Sequence, residues 1–287
     1  MRRLLRKLRD NPIVLGGLVT GLRAAQLCGV HLSERAFQHA PYRGLVRVDC
    51  GKGKSFYIHS RGGRIENGLF WRGLRGHEPE SVSRWIDYAA GAQCVLDIGA
   101  NVGVYSLIAA AVGAARIHAF EPIERIRRIL QQNADVNAFE HVSVWGYCVG
   151  DRQGKLTMYD PGGEVPLSAS ASPSFVQERL AAEKVQQISV ETTSVDAFCA
   201  QQNIKKVDLV KIDVEGFEAS VLEGMQQTIA DSHPVILMEV LEPLDGKMIG
   251  ILEELRRVGY AIERIHEGEG HADFNLLLTF TSSVPSP

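Results

Sequence analysis

The nine residues VLDIGANVG, Val95–Gly103, decide the fold. The apolar run Cys94–Ile98 predicts a buried strand, and the apolar run Val102–Ala111 predicts a helix that begins just after the glycines. Glycine lets a ligand approach the backbone, and a helix N-terminus offers unpaired N–H groups to an anionic group. A strand, a glycine turn and a helix in this order indicate a ligand site, because ligands bind at the carboxyl ends of strands in open α/β sheets.

Short apolar runs alternate with amphipathic runs beyond this loop. This alternation predicts a seven-stranded, mostly parallel sheet with helices on both faces, a Rossmann-like α/β fold. The last two strands are joined by about eight residues, too few for a parallel crossover, so they form a C-terminal antiparallel hairpin. The further predicted strands are Ile117–Glu121, Val142–Cys148, Val207–Asp213, Val235–Val240, Tyr260–Ile265 and Phe274–Phe280, and the helices are Pro122–Val136, Phe217–Ala230 and one ending at Gly259.

The segments before and within this pattern are less regular. One or two strands, around Ser55–Ser60, and a helix at Glu80–Ala89 are predicted before the first βα unit. The turn Asp151–Gly154 leads into Lys155–Tyr159, which predicts a hairpin with the third strand. The serine-, proline- and glycine-rich stretch Asp160–Ser174 predicts a loop.

Composition excludes some classes of function. The chain has 287 residues, of which 45% are hydrophobic and 23% are charged, so wholesale disorder is excluded. Residues 1–50 hold nine basic and three acidic side chains, a net charge of +6, whereas residues 51–287 hold 22 and 31, a net charge of −9. An acidic body argues against a nucleic-acid-binding protein, which usually has a positive excess.

The basic N-terminus has three interpretations. The sequence MRRLLRKLRD is followed by an apolar stretch, Pro12–Leu22, of 11 residues, well below the ~18 needed to span a bilayer. The segment could be a targeting signal, although no A-x-A cleavage site follows it. Residues 1–23 could also form a basic amphipathic helix that makes peripheral contact with an acidic membrane, or simply a solvated leading helix.

The five cysteines, at 28, 50, 94, 148 and 199, are widely spaced and include no C-x-x-C pair. They predict buried free thiols and a cytoplasmic location rather than a zinc site or a disulfide framework. No H-E-x-x-H spacing occurs, so we predict no metal, although acidic side chains at the strand ends could bind Mg²⁺.

Two acidic residues point to the cofactor. Asp97 lies two residues before the first glycine of the loop, and Glu121 ends the next strand, where a carboxylate can accept both hydroxyls of a ribose. The third motif position is Asn101, not the glycine that a dinucleotide-binding loop requires. A carboxylate would repel a pyrophosphate but attract a sulfonium and an ammonium, so the loop favours S-adenosylmethionine over NAD.

Three motifs carry a resemblance to a known family. VLDIGANVGVYSL, then HAFEP, then VDLVKIDVEGFEASVLEG resemble the FkbM family of S-adenosylmethionine-dependent methyltransferases, as do VGDRQGKLTMY and the HEPE at 77–80. The similarity covers roughly residues 70–280 and implies the class I methyltransferase fold. The first 50 residues lie outside the similarity, and we predict that they form a basic helical extension. Residues 51–287 are predicted to form the methyltransferase domain, with a core from about 93 and a lid or insert at about 155–190.

The resemblance also implies roles for single residues. The glycine loop would hold the methionine end of the cofactor, Glu121 the ribose, and the third strand end the adenine. The implied cofactor-binding residues are Asp97, Gly99, Ala100, Asn101, Gly103, Glu121, Pro122, Cys148, Asp151 and Glu78, and Ile123 would lie beside the adenine.

Charged residues at the end of the fourth strand are the catalytic candidates. Lys211, Asp213 and Glu215 alternate, so they share one face if the chain stays extended, and the lysine would keep both carboxylates ionised. Asp213 or Glu215 could act as a general base toward a hydroxyl, or either could anchor sugar hydroxyls. The substrate candidates are Glu239 at the end of the fifth strand, Ser170 in the serine-rich loop and His77.

The sequence therefore predicts methyl transfer from S-adenosylmethionine to a hydroxyl of a sugar, glycolipid or natural product. The alternative from another class of function is a non-catalytic or membrane-docked scaffold. The presence of Asp97 and Glu121 argues against it, because a scaffold does not need cofactor-binding acids. An NAD-dependent oxidoreductase is disfavoured by Asn101. A nucleic-acid substrate is disfavoured by the charge of −9 and by the lack of an aromatic-basic run.

Overall fold

The computed structural model describes residues 12–30, 33, 36–37, 39–162, 185–241, 243–266 and 273–281. The chain divides into two compact units, Met1–Pro79 and Glu80–Pro287. Among the described residues, no helix is long and apolar enough to cross a membrane. The predicted boundary at residue 50 and the predicted insert stay predictions, and positions 163–184 of that insert lie outside the described residues.

The N-terminal unit is built around Trp71. Val19 of its first helix is buried against the Trp71 ring, and the side-chain amide of Gln26 donates to the Trp71 carbonyl oxygen at 2.9 Å. Two strands form an antiparallel hairpin, of which only the second had a sequence signal. The elements of this unit are α1 (Pro12–Leu27), β1 (Arg43–Gly51), β2 (Lys54–Arg61), α2 (Arg64–Arg72) and a 3-10 turn at Gly73–Gly76.

The C-terminal unit contains the predicted seven-stranded sheet, in the order β11-β12-β10-β9-β3-β4-β5. Strand β12 is antiparallel to both of its neighbours, β11 and β10. Every other neighbouring pair in the sheet, from β10 through to β5, is parallel. The elements are α3 (Pro79–Ala89), β3 (Val95–Ile98), α4 (Val104–Val112), β4 (Ile117–Phe120), α5 (Glu124–Val136), β5 (Val142–Trp145), β6 (Tyr147–Val149), β7 (Gly154–Asp160), β8 (Gln186–Thr193), α6 (Val195–Gln201), β9 (Leu209–Ile212), α7 (Glu218–Glu223), α8 (Gln226–Ser232), β10 (Val235–Leu241), α9 (Gly246–Arg257), β11 (Tyr260–Ile265) and β12 (Asp273–Phe280).

The central strands are buried along their whole length, as their near-continuous apolar sequences predict. Every residue of β3, β4 and β9 is buried, since helices cover both faces of a parallel sheet. The chain order reverses at β3, which pairs with β4 on one side and with β9 on the other. Such a reversal opens a crevice at the carboxyl ends of the strands.

The prediction of one strand over Val142–Cys148 is wrong. Strand β5 ends at Trp145, and β6 belongs to a separate three-stranded sheet in the order β6-β8-β7. The predicted hairpin is wrong for the same reason, because β8 lies between β6 and β7 and pairs with both. The sequence of β8, QQISVETT, is largely polar and so had no clear strand signal.

The predicted helix Phe217–Ala230 is two helices, α7 and α8, which are separated at Gly224. The Gly224 carbonyl accepts a hydrogen bond from the Asp196 amide at 3.0 Å instead of continuing the helix. A Cβ atom on Gly224 would lie 2.0 Å from the Gly150 carbonyl oxygen. The break therefore follows from a close backbone contact with the loop after β6.

Candidate functional site

The glycine loop lies in backbone contact with the end of β9. Gly99 has a φ of 82°, and a Cβ atom built on it would lie 1.8 Å from the Asp213 carbonyl oxygen. The Asp213 amide donates to the Ile98 carbonyl oxygen at 2.9 Å. Only glycine fits at position 99, because any side chain would push the two strand ends apart.

The rest of the loop turns the chain into α4. Asn101 has a φ of 50°, a left-handed conformation that asparagine tolerates better than most residues, and Gly103 (φ 94°) is the N-cap of α4. The amides of Gly99 and Ala100 both donate to the Phe120 carbonyl oxygen, at 3.1 and 2.9 Å. These bonds fix the loop against the end of β4.

Glu121, the residue after β4, is held by two backbone amides. Its Oε2 accepts from the Asn101 amide at 3.1 Å, and its Oε1 accepts from the Ile123 amide at 2.8 Å. The side chain therefore joins the glycine loop to the start of α5. Its position at the strand end agrees with the prediction from spacing.

Burial raises the pKa of Glu121 from 4.5 to about 7, against the opposing effects of its two backbone hydrogen bonds and of Arg127 and Arg125. The residue is 6% exposed. A carboxyl group with this pKa changes its ionisation near neutral pH. A ligand that donates hydrogen bonds to it would favour the ionised form.

A pocket opens at these strand ends, and its wall is mostly apolar. Glu121 and Asp213, which follow the strands on either side of β3, both line it. The other lining residues are Ile98, Gly99, Asn101, Pro122, Ile123, Ile126, Tyr147, Cys148, Val149, Met158, Val214, Glu215 and Phe217.

The donors and acceptors of this pocket fit the predicted cofactor. An ionised carboxylate has about four acceptor sites, so Glu121 keeps acceptor capacity on both oxygens beyond the two amides. The Asn101 Oδ1 atom is buried and has no hydrogen-bond partner among the described residues. The apolar side chains of Pro122, Ile123 and Cys148 offer a surface suited to an aromatic base.

A row of polar side chains crosses one face of the sheet behind the pocket. Asp97 of β3 is in register with Lys211 of β9, and the Lys211 ammonium lies 3.8 Å from Asp213 Oδ2. Lys211 is 1% exposed. The structure thus brings Lys211 and Asp213 together as the sequence predicted.

Two residues that the sequence analysis missed surround the Lys211 ammonium. It lies 5.0 Å from the centre of the Tyr105 ring and donates to Asn275 Oδ1 at 3.5 Å. The ring face attracts the positive charge, and the amide oxygen accepts a hydrogen bond from it. A buried ammonium requires such contacts to offset the loss of water. Asn275 belongs to β12, which follows β9 by more than sixty residues, so only the sheet order could have revealed it.

Asp97 is buried beneath the loop and is absent from the described residues that line the pocket. Its Oδ2 accepts from the Ser106 hydroxyl at 2.5 Å, which ties β3 to α4. Burial raises the pKa of Asp97 to about 6, although the Ser106 hydrogen bond and the Lys211 charge act to lower it. Its predicted contact with the cofactor stays a prediction.

The extended face predicted for residues 211–215 ends early. Strand β9 stops at Ile212, and Glu215 has a φ of 54°, so the alternation does not continue past Asp213. Glu215 still lines the pocket because the chain turns there. Gly216 completes the turn, and its amide donates to Glu218.

The remaining predicted residues lie in several places. Glu239 of β10 is opposite Asn275 of β12, and Asp151 accepts a hydrogen bond from Ser220 at 3.3 Å. His77 and Glu78 belong to the N-terminal unit and pair with each other at 3.7 Å. Ser170 lies outside the described residues. The predicted roles of these residues, and the predicted lack of a metal, stay predictions.

Comparisons with known proteins agree with this geometry. Residues 97–262 match the family model of the methyltransferase FkbM domain, which is more than half of the chain. The hexuronic acid methyltransferase AglP of Haloferax volcanii is 25% identical over 209 residues, which cover 69% of this chain and 76% of AglP. The 2-O-methyltransferase NoeI of Sinorhizobium fredii is 25% identical over 147 residues, which cover 48% of this chain and 60% of NoeI.

The AMB antimetabolite synthetase AmbE of Pseudomonas aeruginosa is 28% identical over 204 residues, which cover 58% of this chain but only 9% of AmbE. This chain therefore corresponds to a small part of AmbE and to about three fifths of NoeI. On the family match and the pocket, the chain belongs to the FkbM family of methyltransferases, and its methyl donor is S-adenosylmethionine.

Proposed function

We propose that this chain transfers a methyl group from S-adenosylmethionine to a hydroxyl oxygen of a sugar, a glycolipid or a natural product that contains a sugar. One observation carries the proposal. Glu121 and Asp213 line the same pocket, on either side of the glycine loop, at the reversal point of the sheet. One carboxylate can hold a cofactor while the other faces the acceptor.

The cofactor-binding part of the proposal rests on the pocket wall. Glu121 would accept hydrogen bonds from the ribose hydroxyls, and Pro122 and Cys148 would contact the adenine. The loop residues Gly99 and Asn101 would contact the methionine end. When bound, S-adenosylmethionine supplies an electrophilic methyl group on a positively charged sulfur.

The catalytic part of the proposal assigns the general base to Asp213. Its carboxylate would accept the proton that the hydroxyl loses as the oxygen bonds to the methyl carbon. The Lys211 ammonium lies 3.8 Å from Asp213 Oδ2 and so helps to position this carboxylate at the pocket. The Asp213 side chain is 29% exposed, so it can return the proton to solvent, and Glu215 would bind a neighbouring hydroxyl.

The acceptor class is supported by the named activities of the relatives. AglP is a hexuronic acid methyltransferase and NoeI is a 2-O-methyltransferase. The acidic carboxylates at the pocket can accept hydrogen bonds from several hydroxyls at once, which suits a polyhydroxylated acceptor.

The test is transfer of a labelled methyl group from S-adenosylmethionine to a panel of hexuronic acids, neutral sugars, nucleotide sugars and glycolipids. Asp213→Asn keeps the size of the side chain and one acceptor oxygen but removes the base. We expect it to bind S-adenosylhomocysteine normally and to lose at least about a hundredfold in kcat. The matched control is Asp231→Asn, an exposed acid on α8, which should leave kcat unchanged. Normal turnover by Asp213→Asn would mean that Asp213 only anchors the acceptor or has no role.

A further inference from the structure

Helix α1 carries apolar side chains on its exposed surface as well as on its packed surface. Val14 is 45% exposed and Leu18 is 44% exposed, and they lie one turn apart on the same face. Leu27, at the end of the helix, is 80% exposed. The other face buries Val19 against Trp71.

An exposed apolar face of this kind is unusual for a water-facing helix. No charged residue occurs from Pro12 to Leu22. A helix that is apolar around its circumference is normally buried in a core or in a membrane, whereas Val14 and Leu18 of α1 stay exposed. With 16 residues, α1 is about 24 Å long, so it could lie in the plane of a membrane interface but is too short to cross the bilayer.

The charge of the N-terminal unit indicates the sign of the surface that it would meet. Residues 1–79 hold fifteen basic and five acidic side chains, a net charge of +10, whereas residues 80–287 hold 16 basic and 29 acidic side chains, a net charge of −13. Five of the basic residues precede α1 within ten positions of the chain. They are Arg2, Arg3, Arg6, Lys7 and Arg9.

We propose that α1 docks this protein on an anionic lipid bilayer. Val14 and Leu18 enter the boundary between head groups and acyl chains, and the net charge of +10 of residues 1–79 attracts this unit to the anionic head groups. Apolar burial and attraction to anionic lipid act together in such helices. A second copy of the chain that docks through the same face is a poorer occupant, because two units of charge +10 would then repel each other.

This proposal goes beyond the proposed function, which requires no membrane. The experiment is co-sedimentation of the full chain with vesicles of phosphatidylcholine alone and of phosphatidylcholine mixed with phosphatidylglycerol. We expect binding to the mixed vesicles and little binding to the neutral ones. Raising the salt from about 0.1 M to about 0.5 M should weaken the binding by screening. Equal binding to both vesicles, or binding to neither, would overturn the proposal.

A matched pair of variants assigns the binding to α1. Val14→Glu with Leu18→Glu should reduce binding to the mixed vesicles at least about tenfold. Ile249→Glu with Val258→Glu changes the charge equally at residues of similar exposure, 45% and 48%, and should bind like the wild type. If the α1 variant binds vesicles normally, or if it converts a dimer to a monomer in light scattering, the proposal is wrong. Both variants should retain S-adenosylhomocysteine binding, so failure here is separate from failure of the proposed function.

Discussion

The proposed role of Glu121 can be tested through pH, because a buried carboxyl that holds the cofactor would make binding depend on pH. Its pKa is raised to about 7 by burial, so near neutral pH about half of the protein carries a protonated Glu121. In the proposed complex the ribose hydroxyls would donate to both oxygens, which favours the ionised group. Binding should therefore remove this proton, and affinity should increase as the pH rises through 7.

The size of the effect follows from the fraction of Glu121 that is ionised. That fraction rises from about a quarter at pH 6.5 to about nine tenths at pH 8, so the Kd for S-adenosylhomocysteine should fall about fourfold across this range. At pH 7 binding should release about half a proton. Asp97, with a pKa raised to about 6, is mostly ionised over the same range and contributes little.

The assay is titration calorimetry in two buffers of different ionisation enthalpy, because the difference in heat counts the protons released. Glu121→Gln should release none and bind at least about tenfold more weakly, since hydrogen bonds to a charged acceptor are lost. Glu66→Gln changes a glutamate that is also buried, at 2% exposure, but lies in the N-terminal unit, and it should match the wild type. If Glu121→Gln releases the same fraction of a proton as the wild type, Glu121 is not the group that titrates.

Two further predictions concern the loop and the core. Gly99→Ala and Gly91→Ala both place a side chain at a left-handed φ, of 82° and 84°, and each costs about 1 kcal/mol of stability. Only the Cβ atom at position 99 would clash with the Asp213 carbonyl oxygen. Gly99→Ala should therefore lose S-adenosylhomocysteine binding at least about tenfold while Gly91→Ala keeps it, and equal affinities would contradict the loop geometry. His118, which is 9% exposed and accepts from Trp145 Nε1 at 3.2 Å, has its pKa lowered to about 4 by burial. In the unfolded state the histidine has a pKa near 6.5, so the unfolded state binds more protons than the folded state between pH 6.5 and 4. The free energy of unfolding, measured with denaturant and relative to His118→Leu, should therefore fall by about 2 kcal/mol from pH 7 to pH 5. A difference that stays constant would show that His118 titrates normally.

Much of the sheet was predictable because a fully covered parallel strand has a simple sequence signal. The sequences of β3, β4 and β9 are apolar except for one polar residue each, and the short link between β11 and β12 permits only an antiparallel pair. The glycine spacing and the acid at Glu121 likewise located the pocket. These signals are local, so they can be recognised within one segment of chain.

The errors have a common physical cause, which is that contacts distant in sequence decide the structure. Strand β8 forms because it pairs with both β6 and β7, not because of its own polar sequence. Gly224 ends a helix because of a backbone contact with Gly150. Asn275 reaches Lys211 only through the order of the strands.

The N-terminal helix was predicted in outline, but its significance was not. The sequence left a targeting signal, a solvated helix and a membrane-contacting helix as open interpretations of the N-terminus. The structure adds that Val19 packs on Trp71 while Val14 and Leu18 stay exposed, which the apolar sequence of α1 alone could not distinguish. Which face a helix buries depends on its partner, here α2.

In the proposed function, Asp213 removes a proton from an acceptor hydroxyl in a pocket where Glu121 holds S-adenosylmethionine. The most direct measurement is single-turnover transfer of a labelled methyl group to a hexuronic acid or another sugar acceptor, with wild type and Asp213→Asn compared at saturating cofactor. We predict an O-methyl product from the wild type, identified by NMR, and at least about a hundredfold slower transfer by Asp213→Asn with unchanged cofactor affinity. Methylation at nitrogen or carbon, or equal rates for the two proteins, would contradict the account.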